Sequence, residues 1–139
     1  MAKALTWSEL HAAARRPARH LTKADVPFAP GVYAWYRGGT AVYIGKADSL
    51  VRRVWANHLG NSRSISGSAF RRNVAAALGI ASAADIKSGR YVLTDAELAA
   101  VRSWILGCEV ASLTTPSTAA ALQAERELKE EWMPELTRR

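Results

Sequence analysis

Two runs rich in β-branched and aromatic residues, Gly31-Val-Tyr-Ala-Trp-Tyr36 and Thr40-Ala-Val-Tyr-Ile-Gly45, flank Arg37-Gly38-Gly39. Such side chains suit a pleated, half-buried surface, and paired glycines supply the positive φ that a tight turn between two strands demands. An antiparallel hairpin is therefore the fixed point of the fold, and the rest of the chain has to cover its faces. At 139 residues there is room for one domain and one core.

The flanking segments read mostly as helices. Thr6 and Glu9 have capping-box spacing before Trp7, Leu10 and Ala14, which predicts a first helix to about Arg16. Three prolines, Pro17, Pro27 and Pro30, mark a connecting stretch. After Gly45 the apolar period lengthens to that of a helix through Leu50, Val51, Val54, Trp55 and His58, with a stop expected at Gly60 and a polar stretch over 61–67. Ser68 can cap a second helix whose stripe is Phe70, Val74, Ala77 and Leu78, ending at Gly79; Arg71 and Arg72 fall off that stripe, facing solvent or a ligand. Residues 80–93 read as loop, and Thr94 with Glu97 caps a helix to about Leu106. A short strand over Glu109–Leu113 precedes a last helix, from Ser117 or Thr118 to about Met133, stopped before Pro134. These elements make an α/β chain of the α+β kind: a small three-stranded, mostly antiparallel sheet flanked by helices. Residues 1–30 form an N-terminal helix and connecting segment, and 31–139 the main body of a single domain.

Hydrophobic residues at 49% and charged ones at 22% describe a folding chain, not a disordered one. No apolar run approaches the roughly 18 residues of a membrane span, and the start, MAKALTWSEL, lacks the pattern of a secretory signal; a soluble, cytoplasmic protein is expected. The single Cys108 and three scattered histidines lack zinc-site spacing. The net charge of +7 favours polyanions such as nucleic acid. It is unevenly placed: residues 1–93 carry fourteen basic and four acidic side chains, residues 94–139 five and eight.

Within the last helix, Leu122, Leu128 and Trp132 share a face, with Glu125 in its middle. A carboxylate there needs a partner, because desolvating it alone costs several kcal/mol or neutralises it. The partner is either an arginine or water at a wetter stripe edge, or the residue is a metal or catalytic carboxylate. Arg53 lies beside the apolar face of its helix, where an arginine either snorkels or meets a phosphate with its planar fork. Tyr33, Tyr36 and Tyr43, taken singly, are ordinary strand residues. His58 continues an apolar stripe as core histidines do, His11 and His20 have no constellation around them, and the helical positions of Trp55 and Trp132 favour core.

Taken together, these residues resemble the GIY-YIG nuclease family. Its two tripeptides stand here as Gly31-Val32-Tyr33 and Tyr43-Ile44-Gly45, nine residues apart, the second running on as Lys46-Ala47. The family's helix arginine falls on Arg53, eight residues after Gly45, and its metal-binding glutamate on Glu125, nine residues before Pro134. The resemblance spans about Gly31 to Leu136 and implies metal-dependent hydrolysis of a DNA phosphodiester. It implies that Glu125 holds one Mg²⁺ or Mn²⁺, that Tyr33 orients or helps deprotonate the attacking water, that Tyr43 supports the site, and that Arg53 neutralises charge on the phosphate. Lys46, Arg52, Arg71 and Arg72 are the candidates for flanking phosphates.

Three features depart from the family pattern. Asn57 stands one α-helical turn after Arg53, where many relatives have His or Tyr, and His58 follows one residue later. Thr137 stands where many have Asn, removing a minor support. A strict two-residue turn at Gly38-Gly39 would set Tyr33 opposite Ile44 and put the two tyrosines on opposite faces, so a three-residue loop or a bulge is expected. The alternative to an endonuclease is a nucleic-acid-binding module of the same fold with little or no cleavage. In either case the partner is DNA, duplex or single-stranded, without a membrane, and specificity has to come from the extra segments, from self-association or from a partner protein.

Overall fold

A computed structural model of the chain describes residues 5–58, 65 and 67–138. The hairpin forms as strands β2 (Gly31–Arg37) and β3 (Thr40–Ala47). Gly38 and Gly39, with φ of 60° and 83°, make the strict two-residue turn, and Arg37 pairs with Thr40. The register then shifts: Tyr36 pairs with Ala41 but Trp35 with Tyr43, leaving Val42 as the extra residue of a bulge. The bulge reverses the parity, so Tyr33, Trp35 and Tyr43 share one face.

Strand β4 (Glu109–Thr114) pairs antiparallel with the other side of β2. Beyond it lies a fourth strand, β1 (Arg16–Pro17), giving the order β1-β4-β2-β3 and correcting the expected three strands to four. Two residues are too few to leave a period-two pattern, and a proline, lacking an N–H, belongs on an edge. The first helix, α1 (Trp7–Ala12), accordingly ends well before Arg16.

Helices cover both faces of the sheet. On one, α1 and α5 (Thr118–Glu131) enclose Trp7, Leu10, Val32, Ala34, Ile44, Ala124 and Leu128. The indole Nε1 of Trp7 donates to the carbonyls of Leu128 and Trp132 at 2.9 and 3.0 Å, tying α1 to the end of α5. On the other face, a π-helix (Val51–His58), α2 (Ala69–Ala77), α3 (Ala83–Ser88) and α4 (Asp95–Leu106) pack over Trp35, Tyr43, Leu50, Val54, Phe70 and Ile105.

The capping residues behave as expected, with Thr6, Ser68 and Ser117 each accepting from an N3 backbone N–H and Thr94 with Glu97 closing a full capping box. Residues 80–93 are not all loop: Ser82 caps α3, which stops at Gly89 with φ of 82°. The stop expected at Gly60 and the stretch after it lie outside the described residues, Ile65 and Gly67 excepted. In α2 the buried side chains are Phe70, Arg71, Asn73, Val74 and Ala75, whereas Ala77 and Leu78 are exposed. A single-stripe wheel fails here because α2 is met by α3, by α4 and by the 3₁₀ turn Glu135–Arg138.

Candidate active site

Both glycines that flank the tyrosines are fixed by close approach. A Cβ on Gly31 would collide with the carbonyl oxygen of Leu113, and one on Gly45 with the hydroxyl end of Tyr33. Tyr33 therefore lies across the backbone of β3, its ring stacked on Tyr43 with centroids 6.3 Å apart.

The π-helix brings His58 beneath this pair. In an α-helix position 58 falls well past one turn from Arg53, but the wider turn that goes with the i→i+5 bonding of a π-helix brings His58 nearer the Arg53 face. Its Nε2 is 2.6 Å from the Tyr33 hydroxyl and its Nδ1 2.6 Å from Ser68 Oγ. Ser68 also accepts the backbone N–H of Arg71 at 3.2 Å. The buried chain Ser68–His58–Tyr33 thus has a hydrogen-bond partner at every polar atom, in either histidine tautomer.

Its electrostatics favour neutral groups. Burial, then the charges of Arg53, Arg71 and Arg72, holds His58 well below its ordinary range. Burial, then the neighbouring Tyr43, pushes Tyr33 well above the ordinary phenol range. Tyr43 is raised by burial and then by Glu125, with Arg53 and Arg72 pulling the other way. Arg53, half-buried, thus acts on both tyrosines and on His58.

Glu125 arrives from α5, across the edge of the sheet, and its charge is felt by both tyrosines. Its side chain is only 14% exposed and pairs with Lys129, Oε1 to Nζ 3.4 Å. The partner is a lysine one turn along the same helix, not an arginine, and the i,i+4 spacing was the signal for it. Buried positions on α5 are Ala121, Ala124 and Leu128. Trp132 is not part of that stripe: it leaves helical geometry at φ −163°, ψ 134° and is 45% exposed.

The remaining expected residues scatter. Arg71 does not face solvent; it is 4% exposed, and burial and then the charge of Arg102 pull it down from its ordinary value. Arg72 is half-buried and lines a cleft beside Tyr43. Arg52 is exposed, its guanidinium 5.4 Å from the ring centre of Phe28, and with Asp48, Ser49 and Arg53 it lines a smaller cleft of about 180 Å³. Lys46 pairs with Val32 and so sits on the opposite face of β3 from Tyr43. Trp55, expected in the core, is 36% exposed.

Three polar supports were not read from the sequence. Thr137 Oγ1 accepts the backbone N–H of Ile44 at 3.0 Å, so the position where many relatives have Asn does brace the edge of β3. Asn73 Nδ2 donates to the Leu136 carbonyl at 2.7 Å, and Ser68 orients His58. His11 too has surroundings: its ring stacks on Trp7 and its Nδ1 lies 2.9 Å from the Tyr36 hydroxyl, on the far face. Cys108 is no nucleophile, burial pushing its thiol up to about 11.

A small α+β domain whose central hairpin carries two close-packed tyrosines, with an arginine, a histidine and a carboxylate brought to them from two helices, is a domain of nuclease type. The chain belongs to the GIY-YIG family: the GIY-YIG catalytic domain matches residues 23–136, most of its length. Neither the curated proteins nor the solved structures contain a match. Among the described residues, no helix is long and apolar enough to cross a membrane.

Proposed function

We propose that the protein is a metal-dependent endonuclease that hydrolyses DNA phosphodiester bonds at the Tyr33–Tyr43 site. The observation that carries this reading is the convergence on those two rings of Arg53, His58 and Glu125, which together with Tyr33 span more than ninety positions of sequence.

The donor set suits a hard divalent ion. Glu125 would supply one carboxylate and leave the remaining positions to water and phosphate oxygens, as Mg²⁺ prefers; among the described residues no group of three His, Cys, Asp or Glu side chains could hold a metal. That carboxylate already has a cation against it, the ammonium of Lys129 at 3.4 Å. When bound, the ion supplies Lewis-acid stabilisation of the leaving oxygen.

The chain's own groups do the rest. Tyr33, held neutral by burial and fixed by His58, orients the attacking water by hydrogen bonding. Tyr43 buttresses the Tyr33 ring. Arg53 presents a fixed positive charge to the phosphate, worth about 10²–10³-fold in rate when preorganised.

Incubating the purified protein with supercoiled plasmid, single-stranded and branched DNA and RNA, with Mg²⁺ or Mn²⁺, tests this reading. Nicking or cutting of DNA is expected, abolished by Glu125→Ala and reduced by Arg53→Ala in folded protein. Cleavage that persists in Glu125→Ala removes the metal role, and salt-sensitive DNA binding without cleavage replaces the enzyme with a binding module.

A further inference from the structure

Next to Tyr43 the surface opens into a cleft of about 380 Å³ between α2, α3, α5 and the C-terminal turn. Three cations from three separate elements stand around it: Arg72 of α2, Lys87 of α3 and Lys129 of α5. Tyr43, Asn73 and Thr137 complete its polar lining, and three alanines keep its remaining walls low. Among the described residues no carboxylate lines it.

Such a lining selects an anion, and its position selects which one. Tyr43 belongs both to this cleft and to the stacked tyrosine pair, and Lys129 reaches from the cleft to within 3.4 Å of Glu125. A strand whose scissile phosphate lies at the tyrosines therefore has its next phosphate within reach of the cleft. Lysine serves there as a point charge, needing no particular phosphate orientation.

We propose that this cleft seats a flanking phosphodiester of the substrate strand, with Lys87 and Lys129 as contacts beside Arg72. The proposal rests on the nucleic-acid reading of the tyrosine site and adds to it the path of the strand. Lys87 is the decisive residue, because it is exposed, lies outside the tyrosine site and reaches the cleft only through the packing of α3 on α2.

The test is binding, measured without divalent metal so that no cleavage occurs. Fluorescence anisotropy follows a fluorescein-labelled DNA of about 20 nucleotides, duplex in one arm and single-stranded in the other, across about 50–200 mM KCl. Losing one phosphate contact lowers the slope of log K against log[salt] by about 0.9 for duplex or 0.7 for single strand, which is about eightfold or fivefold in affinity near 0.1 M salt. Lys87→Gln should show that loss in whichever arm the wild type binds, and Lys87→Gln with Lys129→Gln about twice the slope change. Arg19→Gln is the control, because Arg19 is exposed beside β1 at the opposite edge of the sheet.

A Lys87→Gln slope equal to wild type, or a loss matched by Arg19→Gln, overturns the cleft while leaving the tyrosine site untouched. Absence of salt-dependent binding by the wild-type chain in both arms overturns the nucleic-acid reading and this proposal with it.

Discussion

Replacing Gly45 by alanine tests the packing of the site at its tightest point. The new methyl would stand where the Tyr33 hydroxyl and Cζ now lie. Tyr33 has no free direction of retreat, since it is buried, stacked on Tyr43 and bonded to His58 at 2.6 Å. Overpacking a well-filled core costs about 1–3 kcal/mol. If the ring yields, His58 Nε2 loses its buried partner, which costs about 1–3 kcal/mol more. A net loss of about 3 kcal/mol is expected, lowering Tm by roughly 10 °C while leaving the protein folded, since domains have about 5–15 kcal/mol to lose. Urea unfolding of wild type, Gly45→Ala, Tyr33→Phe and the double variant forms the assay. The methyl should cost less once the hydroxyl is gone, giving a coupling of at least about 0.5 kcal/mol. A Gly45→Ala protein within about 0.5 kcal/mol of wild type, or strict additivity with Tyr33→Phe, refutes the contact and with it the reason for glycine at this position.

Three further outcomes follow from the same geometry. Because the folded chain holds His58 below its unfolded value, the unfolded state binds the extra proton first; stability is full above about pH 6.5 and falls as the pH drops from 7.5 to 5.5. Urea midpoints at those two values check this, and a midpoint that does not move would remove the neutral buried histidine. Ser68→Ala should destabilise by roughly 2–4 kcal/mol, combining a lost N-cap with an unpaired His58 Nδ1, and Ser68→Thr should recover both stability and the pH profile of cleavage. Lys129→Gln should tighten Mn²⁺ binding to the DNA-free protein by roughly two- to fivefold in a calorimetric titration, since a partly exposed ion pair is worth at most about 1 kcal/mol; unchanged or weaker binding counts against Glu125 as the ligand.

What could be read beforehand was whatever leaves a local signature. The hairpin and the capping residues rest on spacings of a few residues, and the structure has them. The bulge at Val42 was legible only as a parity requirement, because nothing in Ala41-Val42 marks the irregularity itself. The helical wheel for α5 failed at Trp132 because a wheel assumes helical backbone, and the chain had already left it. The wheel for α2 failed at Arg71 because it assumes one buried side, and three elements surround that helix. Ser68, Asn73 and Thr137 act across sequence separations of 10, 63 and 93 residues, where spacing carries no information.

The displaced histidine has a different lesson. Counted along an α-helix, His58 is one residue too far from Arg53 to take the place of the family's His or Tyr, and Asn57 stands at that place instead. The count presumes the helix type. In the π-helix Val51–His58 each turn is wider, which offsets part of the extra residue, and the imidazole comes to lie against Tyr33. Such turns are rarely adopted, so something must hold this one. Two 2.6 Å hydrogen bonds grip the ring of His58, and Leu50, Val51 and Val54 anchor the apolar side of the segment in the core. The departure in the sequence and the departure in the helix are therefore one feature, and each accounts for the other.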